Sequence, residues 1–119
     1  MQLDKLCVAC FSPTHTSMKI ARAIADGTRI ARREEIDLTT DPADTPIAVR
    51  NAICIVAAPV YGGLVAPVAV RRIARLRAEN SIAIPVVVYG NRDYEDALVQ
   101  LRDLLHAQGF TPLCGAAFV

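Results

Sequence analysis

The hexapeptide Ser12-Pro13-Thr14-His15-Thr16-Ser17 joins an apolar run, Leu6 to Phe11, to a run of helical character, Met18 to Ala25. Four of its six side chains carry hydroxyls, and every residue except Pro13 has a backbone N–H to donate. A strand that enters such a turn and leaves as a helix presents the first N–H groups of that helix to the surroundings. Those groups have no partner within the helix, and the helix dipole favours negative charge beside them. No lysine or arginine lies within the six residues, so an anion there is held by neutral donors. A phosphate monoester is the natural guest of this cradle.

Outward from the turn, strands and helices alternate. Leu3 to Phe11 reads as a buried strand and Thr16 to Ala25 as a helix stopped at Gly27. Ile30 to Leu38 reads as a second strand, arginine-rich at its start and expected near an edge. Asp41 to Arg50 is a polar, proline-bearing connection with room for at most a short helix. Ala52 to Ala58 is a continuous apolar run, as a central parallel strand has. Val68 to Ala78 is expected to be a helix with Val68, Ala69, Ile73 and Leu76 inward and Arg71, Arg75 and Arg77 mostly outward. Ile84 to Tyr89 is a fourth strand and Pro112 to Val119 a fifth. Between them Asp93 to Gln108 is the clearest helix, with Tyr94, Ala97, Leu98, Leu101 and Leu105 at helical spacing and Gly109 as its stop. This alternation implies an α/β domain: a parallel sheet with helices on both faces.

Composition sets the limits. A chain of 119 residues forms one domain, spanning 1–119, able to bury roughly two-thirds of its unfolded surface without disulfides or metals. Hydrophobic residues make up 53% and aromatics only 5%, with no tryptophan, so the core is built from Ala, Val, Ile and Leu. A net charge of +1 argues against a nucleic acid or any partner selected by bulk electrostatics. No apolar run reaches the roughly 20 residues that span a bilayer, and Met1-Gln-Leu-Asp-Lys5 does not open a secretory signal. The expectation is a soluble cytoplasmic protein without a membrane partner. Cys7, Cys10, Cys54 and Cys114 lie in apolar runs. Cys7-x-x-Cys10 in a strand would point to opposite faces, so buried reduced thiols are expected rather than a redox pair or metal site.

Two further loops follow buried strands: Pro59-Val60-Tyr61-Gly62-Gly63 and Tyr89-Gly90-Asn91-Arg92-Asp93-Tyr94. They hold all three tyrosines of the chain, and their glycines let backbone approach a flat ligand. If the strand order is 2-1-3-4-5, these loops and the hexapeptide line one crevice at the carboxyl ends of the strands, where open parallel sheets bind ligands. A phosphate cradle beside tyrosine- and glycine-bearing loops describes a site for a phosphorylated planar heterocycle.

These stretches resemble the flavodoxin family. The matching words are Phe11-Ser-Pro-Thr-His-Thr-Ser17, Ala58-Pro-Val-Tyr-Gly-Gly63 with Pro67, and Val88-Tyr-Gly-Asn-Arg-Asp-Tyr94. The resemblance implies a flavodoxin-like, doubly wound, five-stranded parallel sheet, and the order 2-1-3-4-5 is taken from it. It also implies FMN and electron transfer through the flavin. Ser12, Thr14, His15, Thr16 and Ser17 would hold the phosphate. Pro59, Val60, Tyr61, Gly62 and Gly63 would flank the isoalloxazine, with Tyr61 stacked on a face. Tyr89, Gly90, Asn91, Arg92 and Tyr94 would border its pyrimidine side. A redox partner, of ferredoxin type or a reductase, is implied with it.

The chain departs from the family in four ways, one being that no ferredoxin-type cysteine cluster follows in the sequence. His15 stands where the family usually has glycine, which adds strain if the position needs a positive φ. The chain is near neutral where flavodoxins are acidic. The fifth strand reaches the end of the sequence, so the C-terminal helix of the family is expected to be missing. Either the sequence is a shortened piece or another subunit covers the face left bare, and a homodimer is the expectation.

Other readings of single residues are plainer. Tyr94 on an inward helix face serves core packing as readily as a flavin, while Tyr61 between prolines and glycines is better explained by a ligand. His106 near a helix end complements the dipole. Arg71, Arg72, Arg75 and Arg77 read as a solvated helix face. Asp93, Glu95 and Asp96 read as a cap and dipole complement. Paired acids after strand 1, Cys-x5-Arg, the Walker lysine and Gly-x-Gly-x-x-Gly are all absent from the sequence. Three functions stay open: an FMN electron carrier, an NAD(P)H-dependent FMN or quinone reductase on the same scaffold, and a flavin-less interaction domain.

Overall fold

A computed structural model describes residues 5–39, 45–61, 63–88, 95–113 and 115–118. In chain order the elements are β1 (Lys5–Cys10), α1 (Thr16–Thr28), β2 (Arg33–Asp37), β3 (Ile47–Arg50), β4 (Ala52–Tyr61), β5 (Leu64–Val65), α2 (Pro67–Ile73), β6 (Leu76–Glu79), β7 (Ile82–Val88), α3 (Glu95–Ala107), β8 (Thr111–Pro112) and β9 (Ala116–Phe118). The main sheet runs β2-β1-β4-β7, with β8 and β9 both on the outer side of β7. All of these pairings are parallel. Counting β8 and β9 as one interrupted strand gives the expected order 2-1-3-4-5.

The period of two in the strands divides the core. Leu6, Val8, Cys10, Ile55, Ala57 and Val86 face Met18, Ala21 and Ala25 of α1. Cys7, Ala9, Cys54, Val56, Ala58 and Val87 share the other cluster with Ala69 and Ile73 of α2 and Ala97, Leu101 and Leu105 of α3. Leu101 and Leu105 have no exposed surface, and each such side chain contributes roughly 1.5–3 kcal/mol by burial.

Cys7 and Cys10 thus lie on opposite faces, as the strand spacing requires. Burial, and secondarily Glu35, pushes the Cys10 thiol up to about 12. A hydrogen bond with Cys7, its partner in register across β1 and β4, and burial raise the Cys54 thiol. Thiols held protonated this way are inert. Cys114 lies outside the described residues.

Several elements differ from the sequence reading. α1 runs through Gly27 to Thr28 and ends where Arg29 turns left-handed, with φ 58°. Gly27 lies within the helix without the positive φ of a C-terminal stop, so it does not end α1. The expected helix over 68–78 ends at Ile73, and Leu76–Glu79 is a strand paired with Ile47–Arg50. Arg72 and Arg75 are not a solvated face. Arg75 is buried and donates from Nε to Thr45 O at 3.0 Å, while Arg71 and Arg77 are exposed. Val68, expected inward, is exposed. Gly109 does end α3: with φ 99° it lets Phe110 N–H reach Leu105 O at 3.1 Å and its own N–H reach His106 O at 3.1 Å. This is a Schellman closure with Phe110 folded into the core beside Leu105.

The small pair β3–β6 keeps the register of β4–β7. Arg50 opposes Glu79 and Ile53 opposes Ile82, both separated by 29 positions. Asn51 and Asn80 fall between them at the same separation. Both are left-handed, with φ 53° and 51°, and Asn80 Nδ2 donates to Asn51 Oδ1 at 2.7 Å. The two strands therefore bend together at one matched pair of residues that tolerate this conformation better than most. The fifth strand is interrupted for a related reason. Pro85 has no N–H for the outer ladder, and between the pairs Ala83–Pro112 and Val86–Ala116 the edge sequence carries one residue more than β7. One extra residue of this kind is a β-bulge, a usual accommodation for proline within a sheet.

Candidate functional site

The carboxyl ends of β1 and β4 lie side by side, Cys10 against Ala57, and Phe11 N–H continues that ladder to Ala57 O at 3.1 Å. The hexapeptide follows at once. His15 N–H donates to Ser12 O at 3.1 Å, closing a turn over Pro13 and Thr14 in which proline takes its favoured second position. His15 is then left-handed, φ 66° and ψ −2°, and Lys19 N–H donates to its carbonyl at 3.0 Å to begin α1. The positive φ that would suit glycine is present. The His15 side chain makes no capping hydrogen bond. Capping falls to Ser12, whose buried Oγ accepts from Met18 N–H at 3.0 Å.

Ser12 N–H donates to Thr39 Oγ1 at 2.8 Å. The N–H groups of Ser12, His15 and Met18 are thus used inside the protein. Among the described residues no hydrogen bond takes up those of Thr14, Thr16 and Ser17. Ser17 is 3% exposed, and among the described residues its hydroxyl has no hydrogen-bond partner. Thr14 Oγ1 and Thr16 Oγ1 lie 3.4 Å apart on the exposed rim. Three backbone donors and up to three hydroxyls, at the positive end of a helix of 13 residues, form a cradle for an anion.

The second expected loop is a hairpin. β4 extends to Tyr61, which pairs with Leu64 of β5 across Gly62-Gly63, and Gly63 takes φ 85°. The hairpin is clamped twice. Ala66 N–H donates to Pro59 O at 3.3 Å, and Val65 N–H donates to Gln100 Oε1 of α3 at 2.9 Å. Val60 is buried and Pro59 half-buried, whereas Tyr61 is 59% exposed beside exposed Leu64. A large aromatic left bare on a rigid strand end is a ready stacking platform. Gly62 and the third loop, with Tyr89, Gly90, Asn91, Arg92 and Tyr94, lie outside the described residues. β7, from which that loop departs, ends with Val88 beside Pro59.

The sequence reading missed Thr39 and Arg72. Thr39 follows β2, and the parallel pairing of β2 with β1 brings it beside Ser12. The expected strand order contained that neighbour, although nothing in the local sequence marks it. Nearby, Arg22 makes a two-pronged pair with Glu35, at 2.9 and 2.8 Å, which holds the Glu35 carboxyl below its ordinary value. Among the described residues no group of three or more His, Cys, Asp or Glu could hold a metal ion, and no helix is long and apolar enough to cross a membrane.

No family model and no curated protein matches the chain. Solved structures do. A flavodoxin from Streptococcus pneumoniae superposes with TM-score 0.67 at 19% identity, over 97% of this chain and 83% of that one. The fold is that of the flavodoxins. The same flavodoxin-like architecture aligns with rubredoxin oxygen:oxidoreductase from Desulfovibrio gigas, TM-score 0.73 at 16% identity, over 98% of this chain but only 31% of that one. It aligns also with an NADH:FMN oxidoreductase in its apo form, TM-score 0.66 at 18% identity, over 94% of this chain and 75% of that one. At these identities the likeness carries the flavodoxin-like architecture, and the chemistry must be argued from the residues.

Proposed function

We propose that the chain binds FMN at the carboxyl ends of β1, β4 and β7 and acts in electron transfer. The observation that carries the reading is the set of unused donors in the hexapeptide. The N–H groups of Thr14, Thr16 and Ser17 and the Ser17 hydroxyl have no acceptor among the described residues. They fit a phosphate monoester, which accepts several hydrogen bonds and is favoured at a helix start. Exposed Tyr61, on the strand next to the cradle, fits the flat ring that such a phosphate would carry. Bound flavin supplies reversible uptake of electrons, and the chain supplies position, stacking and exclusion of water.

In this proposal Ser12, Thr14, His15, Thr16 and Ser17 surround the phosphate, and Pro59, Val60, Tyr61, Gly62 and Gly63 flank the ring. Tyr89, Gly90, Asn91, Arg92 and Tyr94 close its far side. The partner is a redox protein, and the setting cytoplasmic. A second copy of the chain belongs to the same proposal. It is supported by half-buried Ile53, Ile82 and Ile84 on the α1 side of the sheet, and sedimentation as a monomer at micromolar concentration would refute it.

The second reading is a reductase that oxidises NAD(P)H on the same scaffold. It is favoured by the likeness to an NADH:FMN oxidoreductase and by the bare Tyr61–Leu64 pair, which leaves room for a second substrate. Titration with FMN, followed by quenching of flavin fluorescence, tests the proposal. Saturable binding at micromolar FMN is expected, and a protein that leaves the fluorescence unchanged is not a flavoprotein. Consumption of NAD(P)H with a quinone separates reductase from carrier.

A further inference from the structure

We infer that Arg72, on the helix that follows the Tyr61 hairpin, is a positioning residue for the phosphate cradle and acts through Thr39. The inference rests on the FMN reading and adds to it a residue outside the expected site. Arg72 Nη1 donates to Leu38 O at 2.9 Å and to Thr39 O at 3.0 Å. Leu38 N–H donates to Cys10 O at 2.8 Å, so the backbone is held from the β1 side as well. Thr39 N–H donates to Asp37 Oδ1 at 2.8 Å. With its backbone fixed on both sides, Thr39 presents Oγ1 to Ser12 N–H at 2.8 Å. Ser12 in turn places its Oγ on Met18 N–H at 3.0 Å.

Three consecutive contacts, Arg72 to Thr39, Thr39 to Ser12 and Ser12 to Met18, thus run from α2, over the ends of β2 and β1, into the first turn of α1. The relay has a selective effect. It occupies the N–H groups of Ser12 and Met18 and leaves those of Thr14, Thr16 and Ser17 for a ligand. Without the Arg72 fork, the two carbonyls at residues 38 and 39 lose a charged donor, and Thr39 loses the support that aims its hydroxyl. Ser12 N–H then competes for the same acceptor as the three ligand-facing donors, and the preorganisation of the cradle is lost. The guanidinium suits the task because one planar, permanently charged group can satisfy two neighbouring carbonyls, which a lysine point charge does less well.

The test compares FMN with riboflavin, which lacks the phosphate, on Arg72→Met, Arg72→Lys, Thr39→Val, Thr39→Ser and the Arg72→Met/Thr39→Val double variant. Each lost hydrogen bond in such a network costs about 2- to 12-fold in an equilibrium constant. FMN affinity is expected to fall by that factor in Arg72→Met and Thr39→Val, less in Arg72→Lys, and to recover in Thr39→Ser. Riboflavin affinity should stay unchanged, and the double variant should be no weaker than the weaker single one. Amide exchange at Ser12 in the flavin-free protein should accelerate in both single variants. Equal losses for FMN and riboflavin, multiplying losses in the double variant, or a Ser12 amide still protected in Arg72→Met would overturn the inference. Wild-type protein that binds no FMN would sink the functional reading, while the Ser12 exchange rate still decides the relay. Should Arg72→Met fail to fold, Thr39→Val and Arg72→Lys carry the comparison.

Discussion

Replacing His15 by glycine should make the flavin-free protein more stable. His15 holds φ 66° and ψ −2° at the start of α1, and its side chain is exposed and makes no capping hydrogen bond. Its removal therefore forfeits no cap. The left-handed conformation costs an ordinary residue roughly 1–2 kcal/mol, all of which glycine recovers. Glycine also loosens the unfolded chain, at about 0.4–1 kcal/mol. The balance is a gain of about 0.5–1 kcal/mol. For a domain of this size, between the small and the large cases, that raises Tm by about 2–5 °C. The control is His15→Ala, which removes the imidazole but keeps the backbone cost and should not gain. Thermal unfolding followed by circular dichroism at neutral pH gives both numbers. A His15→Gly protein that melts at or below the His15→Ala protein would refute the reasoning, because the backbone would then not be strained at this position.

The paired asparagines and the buried thiols give two more expectations. Asn51→Val and Asn80→Val should each lose at least about 1–2 kcal/mol, since a β-branched residue suits a left-handed position worse than asparagine. Asn51→Gly and Asn80→Gly should stay close to wild type in urea unfolding, and equal losses for valine and glycine would show that the Asn80–Asn51 hydrogen bond, not the backbone, is what matters. For Cys10 the folded value of about 12 lies above the ordinary 9.0, so the folded chain keeps a proton that the unfolded chain releases. Stability should hold below about pH 9 and fall as pH climbs toward 12, by up to roughly 1.4 kcal/mol per pH unit for each such thiol. Cys10→Ala should flatten that decline, and an unchanged alkaline slope would show that Cys10 does not cause it.

What could be read directly was what local pattern fixes. The apolar runs that became β1, β4 and β7 and the spacing of Ala97, Leu101 and Leu105 announced sheet and helix without ambiguity. The segments read wrongly are those whose structure is decided by a distant partner. Leu76-Arg-Ala-Glu79 is made of good helix formers, yet it is a strand because Ile47–Arg50 lies beside it in register. Ile47–Arg50 itself is apolar at three of its four positions but too short to declare itself, and it follows a polar, proline-bearing stretch. Arg72 and Arg75 looked like surface charge because their partners are carbonyls some 30 residues away, which no local period records. At the candidate site, the hexapeptide and Tyr61 stood out because turn chemistry and an isolated aromatic are local features. The hidden half, Thr39 against Ser12, required knowing that β2 lies next to β1.

The matched bend at Asn51 and Asn80 also works as an index mark for strand alignment. A parallel pair as apolar as β4 and β7 has many neighbouring alignments that bury comparable surface, and side chains alone separate them weakly. Sliding one strand by a single residue would set an asparagine against a straight partner and ask Arg50, Ala52, Glu79 or Ser81 to adopt the left-handed bend. Each misplaced residue pays roughly 1–2 kcal/mol, so error is penalised on both strands at once. Because Pro59 and Val88 sit at the far end of the same two strands, this notch at the bottom of the sheet determines which residues arrive at the top.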